Sequence, residues 1–263
     1  MKTSILPGFY NLSWEERLNI VAEYAGLSAE EKEILKASGS LSMKTAERMI
    51  ENVIGVMPVP LGVAVNFLIN GKPYLVPMAI EEPSVVAAAS HAAKLAAVRG
   101  GFSTSSTESL MVGQIQVLDI KDPYKAKTDI LAVKEDILRK ANEQDPMLVS
   151  LGGGAKDLDV RILDTPRGFM LVAELYVNCR DAMGANTVNT MAEAVAPMVG
   201  RIASGRVLLR IISNLATRRL ARAKAVIAKE ALGGKEVVDA IIDAYTFAAV
   251  DPFRCATHNK GIM

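Results

Sequence analysis

Four stretches of the sequence carry more polar function than packing requires. Glu81-Glu82 stands between an apolar run and an alanine-rich one, just ahead of Pro83-Ser84. A carboxylate at a helix start is favoured by the macrodipole alone. The functional alternative is a carboxyl group whose pKa burial raises, so that it donates a proton near neutrality. Asp181 to Thr190 joins a strand pattern to a helix pattern. Such a join presents free N–H groups and a positive dipole end, suited to a diphosphate. A plain Asn/Thr cap is the other reading, although Asn186, Thr187, Asn189 and Thr190 exceed what one cap needs. Thr257 to Gly261 is a dense polar cluster in which Lys260 is either a solvated lysine or, beside Arg254, a cation for an oxyanion. Gly152-Gly153-Gly154 is not the G-x-G-x-x-G fingerprint and reads as a flexible turn.

Composition narrows the classes. The chain has 263 residues, with 30 Lys and Arg against 29 Asp and Glu, a net charge of +1, so it lacks the basic excess of a nucleic-acid binder. Half of the residues are hydrophobic and 5% are aromatic, which predicts a large aliphatic core. Cys179 and Cys255 lie far apart and fit no zinc spacing, and two histidines, His91 and His258, are too few for a histidine-rich metal site. His91 reads as a packed or capped core histidine, and both cysteines as buried thiols. Met1 to Asn11 has no leader pattern. The uncharged run Asn52 to Gly71 is broken by Pro58, Pro60, Gly55 and Gly62, against a membrane span. A soluble cytoplasmic protein is expected.

The elements that must position these residues are legible in part. Ser13-x-x-Glu16 and Ser28-x-x-Glu31 predict capping boxes, with Gly26 and Gly39 ending the two helices. A third helix is expected over Met43 to Asn52, a buried strand over Tyr74 to Ile80, and a helix over Ser84 to Val98 with Pro83 in its first turn. The small side chains of that helix suit a central place, packed on several sides. Gly100-Gly101 follows. Then come a strand at Val112 to Ile120, a helix at Thr128 to Asn142, strands at Val160 to Asp164 and Phe169 to Asn178 joined by Thr165-Pro166-Arg167-Gly168, a helix carrying Val188, Met191, Val195 and Met198, and a strand at Arg206 to Ser213. This β-α-β-β-α-β order predicts an inserted ferredoxin-like domain in an α+β protein. The expected parts are 1–108, 109–215 and 216–263. Leu220 to Ala228 is open between strand and helix, Lys235 to Val250 is a helix, and Asp251 to Met263 reads as a polar loop.

Four motifs together resemble a known family. Glu51-Asn-Val-Ile-Gly55, Val76-Pro-Met-Ala-Ile-Glu-Glu-Pro-Ser-Val-Val-Ala-Ala-Ala-Ser90, Asp181-Ala-Met-Gly-Ala-Asn-Thr-Val-Asn-Thr190 and Thr257-His-Asn-Lys-Gly-Ile-Met263 are similar to 3-hydroxy-3-methylglutaryl-coenzyme A (HMG-CoA) reductase, in its class II branch. The resemblance implies reduction of the HMG-CoA thioester by two hydrides, through mevaldehyde to mevalonate and coenzyme A, or the reverse. It implies Lys260 as oxyanion stabiliser and Glu82 as proton donor. Ser84, Arg254, Asn214, Glu51 and Asn52 fall on the substrate side, with Ser84 and Arg254 on the HMG carboxylate. Asp181, Met183, Gly184 and Asn186 fall on the nucleotide motif. Asp145 stands where a carboxylate accepts from a ribose 2′-OH and repels a 2′-phosphate, which favours NADH over NADPH. A homodimer with the site between subunits, and no metal, are further implications.

Family members continue beyond the lysine motif with a catalytic aspartate and a histidine, whereas this sequence stops at Met263. The expectation is the larger part of a reductase. The alternative is a truncated, non-catalytic relative that binds coenzyme A or nucleotide. A ferredoxin-like small-molecule sensor rests on element order alone.

Overall fold

The computed structural model describes residues 2–37 and 41–262; Gly39 and Met263 lie outside them. The chain forms two units, Met1–Thr104 with Ala223–Met263, and Ser105–Arg222. The expected edges Glu108 and Leu215 both fall inside the second unit.

The first unit begins with helices α1 (Trp14–Ala25) and α2 (Ala29–Lys36). Both expected capping boxes are present. Ser13 Oγ accepts from Glu16 N at 3.2 Å while Glu16 Oε2 accepts from Ser13 N at 2.8 Å, and Ser28 with Glu31 repeats the pair at 3.2 and 2.7 Å. Gly26 closes α1 at φ 75°. Helix α3 is only Met43–Ala46, shorter than expected, because the chain then runs in turns to Asn52, at φ 54°.

Strands β1 (Leu61–Ile69) and β2 (Lys72–Ala79) form an antiparallel hairpin through Asn70-Gly71, both at positive φ. The Asn-Gly pair is the strongest short hairpin signal, yet the uncharged composition around it hid β1. The strand expected to be buried is β2, which instead edges its sheet and alternates between exposed and half-buried. An edge is also where Pro73 and Pro77 are tolerated, since neither can donate to a ladder.

Helix α4 (Val85–Ala97) lays one face on β1, burying Ala93 and Ala96, and leaves Ala87, Ala88, His91 and Ala92 exposed. His91 is therefore not a core histidine. Pro83 precedes the helix rather than occupying its first turn, because Ser84, at φ 71°, is the cap residue. Strand β3 (Phe102–Ser106) leads out of this unit.

In the second unit the order is β4 (Leu110–Leu118), α5 (Pro123–Ala132), α6 (Lys134–Asn142), α7 (Pro146–Ser150), β5 (Gly154–Thr165), β6 (Gly168–Asn178), α8 (Ala185–Ala203) and β7 (Arg206–Ser213). The sheet runs β5-β6-β4-β7, antiparallel throughout, in the expected ferredoxin-like arrangement. Ile115, Ile130, Ile137, Leu171, Leu175, Met191 and Val195 are fully buried between sheet and helices. The helix expected over Thr128 to Asn142 is two helices broken at Val133, the first begun by Asp122 capping Lys125 N with Pro123 at N1. The triple glycine is a tight turn rather than a flexible one. Gly154 sits at φ 91°, and a Cβ there would lie 2.4 Å from Asn142 Oδ1, whose side chain pins both backbone groups of Ala155.

Strand β8 (Ala221–Ala225) resolves the ambiguous segment and completes the first sheet, ordered β2-β1-β3-β8. Then follow α9 (Lys229–Leu232), α10 (Lys235–Val250) and α11 (Pro252–Ile262). The last replaces the expected polar loop. Asp251 Oδ2 accepts from Arg254 N at 2.6 Å with Pro252 at the first helical position, which is a helix start. No helix among the described residues is long and apolar enough to cross a membrane.

Replacing Gly154→Ala should cost at least about 2 kcal/mol in urea denaturation, because the new Cβ meets both a left-handed φ and an amide it cannot displace. Ser13→Ala, which removes half of a surface capping box, should cost about 1 kcal/mol. Equal losses for the two would show that the triple glycine is under no steric constraint.

Candidate active site

The segment between β2 and α4 carries Glu81 to Ser84, and the last turns of α11 carry Lys260. Lys260 Nζ donates to Glu82 Oε2 at 2.8 Å, joining residues 178 positions apart within the first unit. The side chains are 55% (Glu82) and 73% (Lys260) exposed, so burial does not raise the Glu82 pKa as the functional alternative supposed. The opposite holds. The hydrogen bond from Lys260, and then its charge, hold the Glu82 carboxyl below its ordinary 4.5. The same bond and charge raise Lys260 above 10.5. At neutral pH the pair is a carboxylate and an ammonium with two donors to spare.

Ser84, two residues along, is held left-handed at φ 71° and caps nothing with its hydroxyl, which leaves that hydroxyl available. A non-glycine residue in that region stores of order 1–3 kcal/mol of strain, a recurrent feature of ligand sites. Arg254 is exposed on α11, roughly 120° around the helix axis from Lys260 at 3.6 residues per turn. Glu51 and Asn52 line an open depression of about 540 Å³ together with Lys44 and Arg48. No hydrogen bond among the described residues ties Arg254, Glu51 or Asn52 to the Glu82–Lys260 pair. Asn214 is exposed at the end of β7, in the second unit. Cys255 is half-buried rather than fully buried, whereas Cys179 is buried, and burial pushes its thiol up.

The nucleotide motif lies wholly in the second unit. Asp181 and Met183 are exposed in the loop between β6 and α8, and Gly184 is the cap residue at φ 108°. A Cβ on Gly184 would lie 2.4 Å from Cys179 Sγ, so only glycine fits. The plain-cap reading fails here. No side chain caps α8, and Asn189 instead accepts from Ile212 N at 2.8 Å. Among the described residues, the amides of Asp181, Met183, Gly184, Ala185, Asn186 and Thr187 find no protein acceptor. Six free donors at a positive helix end, closed below by the Gly184–Cys179 contact, fit a diphosphate. Asp145 caps α7, accepting from Leu148 N at 2.9 Å through Oδ1, and is half-buried. Arg219 reaches the carbonyls of this loop from a turn after β7. The sequence reading passed over it, and no spacing marks it. Among the described residues no group of three or more His, Cys, Asp or Glu could hold a metal ion.

Comparison with known proteins shows the family of the chain. The hydroxymethylglutaryl-coenzyme A reductase family profile matches residues 13–263. A 3-hydroxy-3-methylglutaryl-coenzyme A reductase of Archaeoglobus fulgidus is 61% identical over 99% of the chain, and a probable one of Borreliella burgdorferi is 34% identical over 82%. The chain spans 60% and 50% of their lengths. A class II reductase of Streptococcus pneumoniae, bound to NADPH in open conformations, superimposes with a TM-score of 0.92 at 38% identity, over 97% of this chain and 70% of that one. With the profile covering nearly the whole sequence and the same fold in a solved relative, the chain belongs to the hydroxymethylglutaryl-coenzyme A reductase family.

Proposed function

We propose that the protein carrying this chain interconverts HMG-CoA and mevalonate with a nicotinamide cofactor. The single observation that carries the reading is the Glu82–Lys260 pair, which the chain path assembles at 2.8 Å on an exposed surface. Reduction of a thioester builds negative charge on the acyl oxygen. A fixed ammonium is the natural stabiliser of that charge, and it acts most strongly once water is excluded. Lys260 supplies the cation. Glu82 orients that ammonium and keeps it protonated, and as the alkoxide forms the ammonium's proton passes to the oxygen, directly or through the Glu82 carboxylate, with Lys260 reprotonated from solvent afterwards. Ser84 and Arg254 are the residues proposed for the HMG carboxylate, with Glu51, Asn52 and Asn214 on the substrate side.

The cofactor supplies the hydride. The free amides from Asp181 to Thr187 hold its diphosphate, with Met183 and Asn186 at the rim. Asp145 keeps Oδ2 for a ribose hydroxyl while Oδ1 caps α7, and its charge disfavours a 2′-phosphate. This supports NADH as the preferred cofactor of this chain, although a relative binds NADPH. Assembly as a homodimer belongs to the same reading. Helix α10 buries no residue, and its Ile241, Ile242 and Tyr245 stand 49, 56 and 70% exposed, an apolar face that calls for further protein. Two free thiols and the absence of disulfides among the described residues support a reducing, cytoplasmic setting.

In the full-length protein, Lys260→Ala should lower kcat at least about a hundredfold with the KM for HMG-CoA within about threefold, since an oxyanion contact strengthens mainly in the transition state. Activity near that of the unsubstituted protein, followed as NADH oxidation with HMG-CoA, would remove Lys260 from the mechanism. Loss of turnover even without substitution, with nucleotide still bound, would leave a binding module.

The pH dependence has a definite sign. Glu82 is depressed, so the pair's contribution is present above its ordinary 4.5 and is lost as pH falls through the folded value. Lys260 is raised, so the contribution is present below 10.5 and is lost as pH rises through its folded value. Turnover should hold a plateau across neutrality, with its acid limb below pH 4.5. An acid limb near pH 6 would show a protonated acid as the working form instead.

Asp145→Ser removes the charge while keeping a capping oxygen, and should shift the kcat/KM ratio toward NADPH by about tenfold. An unchanged ratio would take Asp145 out of cofactor selection.

A further inference from the structure

We propose that Arg219 is a positioning residue for the nicotinamide nucleotide, holding the carbonyls of the loop ahead of α8 so that the amides of the same peptide planes face the ligand. The inference rests on the reading of that loop as the cofactor site.

Arg219 Nη1 donates to Ala182 O and to Met183 O, each at 3.0 Å, and Nη2 reaches Arg180 O at 3.5 Å. One guanidinium therefore gathers three carbonyls from four consecutive residues. In a planar trans peptide the carbonyl and the next N–H point in opposite directions. Turning the carbonyls of Arg180, Ala182 and Met183 toward Arg219 turns the amides of Asp181, Met183 and Gly184 away from it. Those three amides are among the donors without a protein acceptor. The loop also holds Arg180 at φ 53°, a left-handed state that strains a non-glycine residue and persists only where the surroundings brace it. A cation behind the carbonyls polarises each peptide and makes its N–H a stronger donor.

The brace is itself anchored. Thr107 N donates to Leu220 O at 2.9 Å, Leu220 N to Thr107 Oγ1 at 2.9 Å, and Thr107 Oγ1 to Arg218 O at 3.0 Å. Arg218 stacks over the Tyr176 ring, 3.9 Å from its centroid, which leaves Arg219 alone to serve the loop. A planar fork with five donors suits three divergent carbonyls, and a lysine ammonium does not reproduce it.

The test uses full-length protein carrying Arg219→Gln and Arg219→Lys, with NADH and NADPH as the probes. Nucleotide Kd by fluorescence titration, KM for nucleotide and for HMG-CoA, and Tm are measured together. Arg219→Gln should weaken nucleotide binding about tenfold, which is about 1.4 kcal/mol, while the KM for HMG-CoA stays within about twofold. Arg219→Lys should recover part of the loss, since it restores charge without the fork. A folded Arg219→Gln with nucleotide Kd within about twofold of the unsubstituted protein overturns the proposal, as does an HMG-CoA KM that rises in step. Should Arg219→Gln not fold, Arg219→Lys decides alone, an unchanged nucleotide Kd overturning it. Unsubstituted protein that binds neither nucleotide overturns the cofactor reading itself, a result distinct from binding that is merely indifferent to Arg219.

Discussion

The proposed chemistry depends on one exposed ion pair, Glu82 with Lys260 at 2.8 Å. As a contribution to stability such a pair is minor. Exposed salt bridges are worth about 0–1 kcal/mol, because solvent screens them and two long side chains lose freedom. The pair is thus a product of the fold rather than a cause of it. Three local features bring it about: the left-handed Ser84 that turns the chain after Glu82, the helix that Asp251 and Pro252 begin, and the sheet that returns the chain to the first unit through β8. Opposite charges then hold Glu82 low and Lys260 high, so that both are ionised at neutral pH.

The two units are held together in different physical ways. The second is closed around a continuous aliphatic core, with sheet residues on one side and α5, α6 and α8 on the other. It can hold backbone donors rigidly, and its loop ahead of α8 is shaped by steric necessity at Gly184 and by the brace from Arg219. The first unit buries few large side chains, and α10 presents its apolar stripe to solvent. Apolar surface on that scale is a demand for more protein.

Much of the fold was legible residue by residue. The capping boxes at Ser13 and Ser28, the strand over Arg206 to Ser213 and the helix over Lys235 to Val250 stand where local pattern put them, because each signal acts within a few residues. The failures have equally local causes. Strand β1 was hidden because an uncharged run with prolines looked like an irregular segment, although Asn70-Gly71 marked its hairpin. Helix α11 was missed because polar composition outweighed the Asp251-Pro252 start signal. The triple glycine looked flexible because sequence does not show Asn142 standing 2.4 Å from where a side chain would begin.

The sequence by itself determined the residue types for the chemistry, the ferredoxin-like order of the second unit and, through four motifs, the family. Tertiary structure alone decided between the two readings of Glu82, a helix-start carboxylate or an acid that burial would raise: it is exposed and held low by Lys260. It alone singled out Arg219 from the other arginines. The reason is range. Caps, turns and periodicity are encoded by neighbours along the chain, whereas contacts spanning 36 or 178 residues depend on the path the whole backbone takes, which no short window of sequence contains.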